Sequence, residues 1–190
     1  APAPKTFREV FSQLRQDTHP GQKKVGFFYG CMIDYMYPEI GEAVVMLLNR
    51  AGYRVELPPQ GCCGAPALYL GLENNAGKMA AENLLFLDEA SQDYDYIVTA
   101  CPTGSAMLKK HWLQLCKDDP AALPPAKNAA AKTIEFIRLL NLLRLQGIFP
   151  GSTISPSPVK EITVTYHYSC HLKRDCGVET EPSEVLSALP

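Results

Sequence analysis

The chain has 190 residues, of which 46% are hydrophobic and 20% are charged, and its formal net charge is −2. These values fit one globular domain, or one domain and part of another. The charge balance lacks the basic excess that is typical of nucleic-acid-binding proteins. No apolar stretch is of the kind that spans a bilayer. Seven cysteines are too sparse for a secreted disulfide scaffold, which favours a cytoplasmic protein with metal-bound or free thiols.

Predicted strands and helices alternate along the chain. Residues 1–23 are polar and are interpreted as a linker with a short helical pattern at 7–14. Strands are predicted where β-branched and aromatic residues cluster, and helices where apolar residues recur at helical spacing. The predicted order is strand 25–29, helix 38–51, strand 53–57, helix 76–87, strand 96–99, helix 105–115, helix 129–145, a proline- and serine-rich connection at 149–158, and strand 162–168. This order predicts an α/β fold with a parallel sheet flanked by helices.

A vicinal cysteine pair, Cys62-Cys63, lies in the segment GCCGAP at 61–66. Adjacent Cα atoms are about 3.8 Å apart, which is below the usual span of a disulfide. Neighbouring thiolates suit a soft metal or an iron–sulfur cluster, and the flanking glycines allow the backbone to approach a bulky group. The alternative is that both cysteines are small buried core residues.

Other cysteines follow the predicted strands. Cys31 follows the first strand, the vicinal pair lies a short loop beyond the second, Cys101 follows the third and Cys170 the fourth. Because the carboxyl ends of parallel strands share one edge of a sheet, where open α/β sheets bind ligands, these thiols are expected to lie together. This placement favours a metal or cluster site over the core interpretation.

A segment near the start of the chain is repeated near its end. Residues 25–31, VGFFYGC, match residues 164–170, VTYHYSC, in pattern, and residues 184–189 are a weaker echo of 42–48. The repeat predicts one complete unit at 24–158 and the truncated start of a second unit at 159–190.

These motifs resemble the cysteine-rich CCG domain family. Its members include iron–sulfur subunits of glycolate and lactate oxidase complexes and a cysteine-rich component of heterodisulfide reductase. The family pattern is a lone cysteine, a downstream Cys-Cys-Gly and a later Cys-x-x-Cys, usually present twice per chain. Here FYGC at 28–31, GCCGAP at 61–66 and TACP at 99–102 match in order, and 166–172 resembles the start of the second repeat.

The resemblance implies an iron–sulfur cluster with ligands Cys31, Cys62, Cys63 and Cys101. Gly104 stands where the family often has the last cysteine of its pattern, so four thiolates remain. Four thiolates suit a cubane [4Fe–4S] cluster or, alternatively, a closed structural zinc site. Preparation in air can leave such a site empty, because these clusters are often labile.

Three further residues are weaker candidates. Cys170 is interpreted as the first ligand of the second motif, with a fifth ligand of the first site as the alternative. Cys176 and His171 are candidate ligands, although an exposed bystander cysteine and a hydrogen-bonded structural histidine are the commoner cases. No catalytic residue is assigned, because the sequence has no nucleophile–base pattern and no phosphate-binding loop.

By this resemblance the chain is expected to be the electron-transfer module of a glycolate- or D-lactate-type 2-hydroxyacid oxidase or dehydrogenase. Its expected partners are a flavin-dependent dehydrogenase subunit and a ferredoxin-like domain or subunit. The expected location is the cytoplasm, or the inner face of the membrane through those partners. The alternatives are a heterodisulfide-reductase-like catalytic subunit and a zinc-stabilised docking domain. Electron transfer is favoured over substrate chemistry.

Overall fold

The computed structural model describes residues 2–16, 20–148 and 163–189. The first half contains α1 (Phe7–Phe11), β1 (Lys23–Phe27), α2 (Gly30–Tyr35), α3 (Pro38–Arg50), β2 (Tyr53–Glu56), α4 (Ala65–Tyr69) and α5 (Glu73–Ser91). The second half contains β3 (Tyr96–Thr99), α6 (Pro102–Ala106), a π-helix π1 (Met107–His111), α7 (Trp112–Leu115), α8 (Leu123–Lys132), β4 (Thr133–Glu135), α9 (Phe136–Leu145), a second π-helix π2 (His171–Asp175) and α10 (Glu181–Leu186). Proline begins α3 and α6, a position that suits it because the first turn of a helix does not use its N–H groups.

The four strands form one parallel sheet in the order β2-β1-β3-β4. Val25 of β1 is in register with Val55 of β2 and with Tyr96 of β3. Thr99 of β3 is in register with Glu135 of β4. The α/β prediction is therefore confirmed, and helices cover both faces of the sheet.

The predicted helix at 129–145 is wrong, because a strand interrupts it. Helix α8 ends at Lys132, β4 forms one edge of the sheet, and α9 begins at Phe136. All three residues of β4 are buried, and the side chain of Glu135 accepts a hydrogen bond from the backbone N–H of Ile137 at 2.8 Å, which caps α9. The apolar spacing is helical on both sides of β4, so the pattern does not reveal the break.

The predicted strand at 162–168 is also wrong where the structure describes it. Residues 163–169 have no strand conformation, and Val164, Tyr166 and Tyr168 are exposed. A strand needs a neighbour for its backbone hydrogen bonds, and within the described residues β4 pairs with β3 alone. Residue 162 and the predicted connection at 149–158 lie outside the described residues.

Two hydrophobic cores lie on the two faces of the sheet. One includes Phe27, Val44, Leu48 and Leu139 from β1, α3 and α9, and the other includes Phe28, Leu84, Ile97, Leu108 and Trp112. Phe7 of α1 is completely buried in the first core, against Gly41 of α3. A Cβ atom at Gly41 would lie 2.4 Å from the Phe7 ring, so this approach requires glycine. Helix α1 is therefore packed into the domain and is not a free linker.

Candidate functional site

The structure places Cys31, the vicinal pair and Cys101 at the carboxyl edge of the sheet. Cys31 is in the first turn of α2, just after β1, and Cys101 closely follows β3. Cys62 and Cys63 lie in the loop that joins β2 to α4. The thiol of Cys62 interacts with the thiols of both Cys31 and Cys63, and Cys101 acts electrostatically on Cys31 and Cys63. Three separate segments thus bring four thiols into one electrostatic environment.

The thiols share their protons unequally. The Cys63 thiol stabilises the anion of Cys62 and, with the backbone N–H of Gly64, lowers the pKa of Cys62 to about 5. The interaction with Cys62, together with burial, raises the pKa of Cys63 well above its usual value. Burial, followed by the charge on Cys62, raises the pKa of Cys31. The pair therefore favours the negative charge on Cys62 over Cys63, and a metal that binds both sulfurs displaces the proton of Cys63.

The backbone around the pair is held by hydrogen bonds from two neighbouring helices. The side chain of Asn83 in α5 accepts from the N–H of Gly61 at 2.8 Å and donates to the carbonyl of Cys62 at 3.0 Å. The indole N–H of Trp112 in α7 donates to the carbonyl of Cys63 at 3.0 Å. Both side chains are buried, so these contacts fix the direction in which the two thiols leave the loop.

Asn83 and Trp112 were not expected as site residues from the sequence. The available signal for Asn83 was a polar residue on the inward face of α5, where Ala76, Ala80 and Leu87 are buried. For Trp112 the signal was a single tryptophan in the whole chain, whose indole N–H needs a partner when buried. Neither feature of the sequence indicates that the hydrogen-bond partner is the loop of the vicinal cysteines.

Gly64 makes the turn out of the pair possible. Its φ is +88°, a left-handed conformation that other residues adopt at a cost. A Cβ atom there would lie 3.3 Å from the carbonyl oxygen of Ala76. The loop therefore approaches α5 closely at this glycine.

Gly104 lies directly beside Cys101. Its backbone N–H donates to the Cys101 Sγ at 3.4 Å, while Thr99 Oγ1 accepts from the Cys101 N–H at 3.2 Å. A Cβ atom at Gly104 would be 3.8 Å from the Cys101 Sγ, which is an ordinary contact distance. The position therefore has room for a small side chain, and the chain carries an amide donor to sulfur there instead of a thiol.

The weaker candidates lie in another environment. Cys176 is buried with Ala106, Leu172 and Val178, burial raises the pKa of its thiol, and its Sγ is 3.8 Å from the carbonyl oxygen of Pro102. It is a packing residue in this arrangement, not the exposed bystander of the sequence prediction. Cys170 is exposed and follows an irregular segment, so its predicted position after a fourth strand of the sheet is wrong.

His171 has partners of its own. Its Nδ1 is 2.9 Å from Asp175 Oδ2, and its ring stacks on Tyr69 with the centroids 5.6 Å apart. Asp175 also accepts from Lys110 Nζ at 2.8 Å. These contacts support the structural interpretation of His171, and they attach π2 to α4 and π1.

The four thiols fit an iron–sulfur cluster in the chemistry of their donors. They come from separate segments at one edge, one is already stabilised as a thiolate, and Gly30 and Gly64 keep the nearby backbone free of side chains. Over residues 2–16, 20–148 and 163–189, no three His, Cys, Asp or Glu side chains are arranged to hold a single metal ion.

Residues 25–109 match the family model described as "CCG: Cysteine-rich domain". This region is a CCG domain. The match includes Cys31, Cys62, Cys63 and Cys101, and it confirms the family resemblance of the motifs.

Relatives of the CCG domain extend the similarity over most of the chain. Lactate utilization protein A of Geobacillus kaustophilus is 36% identical over 165 residues, which cover 86% of this chain and 64% of that protein. Lactate utilization protein A 2 of Bacillus cereus strain Q1 is 32% identical, with the same coverage of 86% and 64%. A fumarate reductase (CoM/CoB) subunit of Methanothermobacter marburgensis is 30% identical over 90% of this chain but only 30% of its own length. The chain thus spans less than two thirds of the length of each of these relatives.

Among the described helices of the CCG domain and the residues around it, none combines the length and the apolar character required to cross a membrane.

Proposed function

We propose that this chain is the iron–sulfur electron-transfer module of an oxidoreductase complex that acts on lactate or a related 2-hydroxyacid such as glycolate. The observation that carries the proposal is the convergence of Cys31, Cys62, Cys63 and Cys101 at the carboxyl edge of a CCG domain. The relatives named lactate utilization protein A support the class of substrate.

The four cysteines are the proposed ligands of a [4Fe–4S] cluster, which supplies one-electron transfer when bound. The chain's own residues supply the surroundings that set a potential. Asn83 and Trp112 hold the loop of the vicinal pair through its backbone, and the amide of Gly104 donates to the sulfur of Cys101. Hydrogen bonds to ligand sulfurs and partial burial are the means by which a protein tunes such a group.

We further propose that residues 24–158 form the first CCG repeat and that residues 159–190 open a second. The match in pattern between residues 25–31 and 164–170 supports this arrangement. The proposed partners are a flavin-dependent dehydrogenase subunit and a ferredoxin-like domain or subunit, and the proposed location is the cytoplasm or, through those partners, the inner face of the membrane.

The proposal is tested by anaerobic reconstitution with iron and sulfide, followed by iron, sulfide and zinc analysis and electron paramagnetic resonance. The wild-type chain and the control Cys116→Ala are expected to take up iron and sulfide and to give a cluster signal, since Cys116 is buried in the core beside α7. Cys63→Ser is expected to lose the signal. Protein that binds zinc and takes up neither iron nor sulfide would overturn electron transfer in favour of a zinc-stabilised docking domain.

A second candidate is a catalytic subunit that cleaves a disulfide at an unusual cluster. The similarity to the fumarate reductase (CoM/CoB) subunit favours thiol–disulfide chemistry in general, and Gly104 counts against this candidate because the fifth thiol of the family pattern is missing. Since Gly104 has room for a side chain next to Cys101, Gly104→Cys tests whether a fifth thiolate changes the cluster signal.

A further inference from the structure

An apolar groove runs along the outer side of α5. Its volume is about 510 Å³, and it lies between α5 and the turn that leads into α8. Ala81, Leu84, Ala122 and Pro125 line it. Leu85 stands at its edge with 75% of its surface exposed.

Acidic side chains surround this groove. Its lining includes the carboxylates Glu82, Asp88, Glu89 and Asp119 and the cation Lys78. Asp119 caps the following turn by accepting from two backbone N–H groups, and Asp88 accepts from Asn128. The side chains of Glu82 and Glu89 have no ion pair or hydrogen bond within the part of the chain that the structure describes. Their negative charges are therefore directed to solvent and to whatever approaches the groove.

The groove continues toward the cysteine site. A second cleft of about 340 Å³ opens beside Cys62 and is lined by Met79, Asn83 and Phe86. Glu82 borders both the groove and this cleft. Phe86 is 52% exposed, so α5 presents two neighbouring large apolar side chains, Leu85 and Phe86, between the groove and Cys62.

We infer that this groove along α5, with Leu84 and Leu85 in its apolar lining and Glu82 and Glu89 at its rim, docks a basic amphipathic helix of a redox partner protein. The electron-transfer part of this inference rests on the proposed function. An apolar groove of this kind accepts the apolar face of a helix, and its acidic rim selects lysine and arginine on the flanks of that helix. Docking along α5 brings the partner to the cleft at Cys62, which opens on this side of the site.

Charge gives this interface a recognisable signature. Opposite charges at the rim of an interface mainly accelerate association and are screened by salt over about 8 Å at physiological ionic strength. The exposed apolar centre contributes to the lifetime of the complex instead. The contribution of the acidic rim to association and that of the apolar residues to the lifetime of the complex can therefore be measured separately.

The probe is a synthetic amphipathic helix of leucine and lysine, and the matched control is the same helix with glutamate in place of lysine. Binding to the 190-residue chain is measured by calorimetry and by amide chemical-shift changes, neither of which requires a cluster. The lysine helix is expected to bind, to shift the amides of α5 and α8, and to weaken as salt is raised. The glutamate helix is expected not to bind.

Three variants locate the binding. Leu85→Asn and Glu89→Lys are each expected to weaken the lysine helix by about tenfold, which corresponds to about 1.4 kcal/mol. Leu145→Asn, at a leucine of α9 that is 67% exposed, is the control and is expected to leave binding unchanged. Equal binding of both helices, equal weakening by all three variants, or shifts that leave α5 and the turn at 119–125 unchanged would overturn the inference. A failed docking test with a normal cluster signal would leave the proposed function standing.

Discussion

The two copies of the repeated motif lie in different surroundings. In the first copy, residues 25–27 form part of a central strand, and Cys31 follows at the edge where the other thiols converge. In the second copy, residues 164–169 have no strand conformation, and Cys170 is exposed. Similar local sequences thus produce a buried strand in one place and an irregular segment in the other. β-Branched and aromatic residues therefore become a strand only when neighbours supply backbone hydrogen bonds.

Different forces also hold the two regions. The first copy is fixed by the two hydrophobic cores on the faces of the sheet. The second is attached through a small apolar cluster around Leu172 and through ion pairs to α9 and π1, including Arg138–Glu181 at 3.0 Å and Lys110–Asp175 at 2.8 Å. Because a small apolar cluster and partly exposed ion pairs stabilise less than two large hydrophobic cores, the region around Leu172 is expected to open first.

The strongest effect that we expect separates the cysteines of the two regions. Cys101→Ser is expected to abolish the cluster signal and the uptake of iron, because it removes one of four converging thiols. Cys170→Ser is expected to leave both unchanged, because Cys170 is assigned to the second repeat. Iron analysis and electron paramagnetic resonance on anaerobically reconstituted protein measure the difference. Equal loss in the two variants would make Cys170 a fifth ligand of the first site.

The next effect concerns Glu135, the buried last residue of β4. Burial raises the pKa of Glu135 to about 7 from its usual value of 4.5. A raised carboxyl pKa means that the folded state binds the proton more tightly than the unfolded state. The contribution of Glu135 to the free energy of unfolding is therefore fully present below about pH 4.5. It falls by about 3 kcal/mol as the pH rises to about 7.

Glu135→Gln is expected to remove this pH dependence. Urea unfolding at about pH 5 and about pH 7.5 should then give similar free energies of unfolding for the variant, whereas those of the wild type differ. Glu179→Gln, at an exposed position of the second region, is the control and is expected to keep the wild-type slope. A wild-type slope in Glu135→Gln would show that burial does not hold this proton.

A smaller effect is expected in the loop of the first region. Asn83→Ala leaves the N–H of Gly61 and the carbonyl of Cys62 without their partner and is expected to lower the free energy of unfolding by about 2 kcal/mol. Asn128→Ala removes an exposed hydrogen bond to Asp88 and serves as the control, with an expected cost below about 0.5 kcal/mol. Urea unfolding compares the two. Similar costs would mean that the loop readily finds other partners.

The weakest effect distinguishes two glycines with positive φ. Gly64→Ala has a strained backbone and a close approach to the carbonyl of Ala76, whereas Gly71→Ala has the strain alone, since nothing lies within 4 Å of its Cβ. Gly64→Ala is therefore expected to cost about 1 kcal/mol more than Gly71→Ala. Thermal unfolding of the pair checks this, and a larger cost at Gly71 would contradict the close packing of the cysteine loop on α5.

Much of the fold and of the site could be predicted from short segments. The predicted strands at 25–29, 53–57 and 96–99 correspond to β1, β2 and β3, and cysteines follow each of them. The break at β4 could not be predicted, because Thr133 and Ile134 fit the apolar spacing of the helices on either side. Asn83 could not be assigned to the site, because its partners Gly61 and Cys62 are more than twenty residues away in the chain.

Local sequence was sufficient to establish the alternation of strands and helices, the CCG motif and the placement of Cys31, Cys62, Cys63 and Cys101 at one sheet edge. These features depend on local periodicity and on a general property of parallel sheets. Three others required the three-dimensional packing: β4 completes the sheet in place of residues 163–169, Cys62 carries the thiolate, and α5 has an exposed acidic and apolar surface. Each of these depends on which distant groups surround a residue, since neighbours determine strand pairing, proton affinity and exposure.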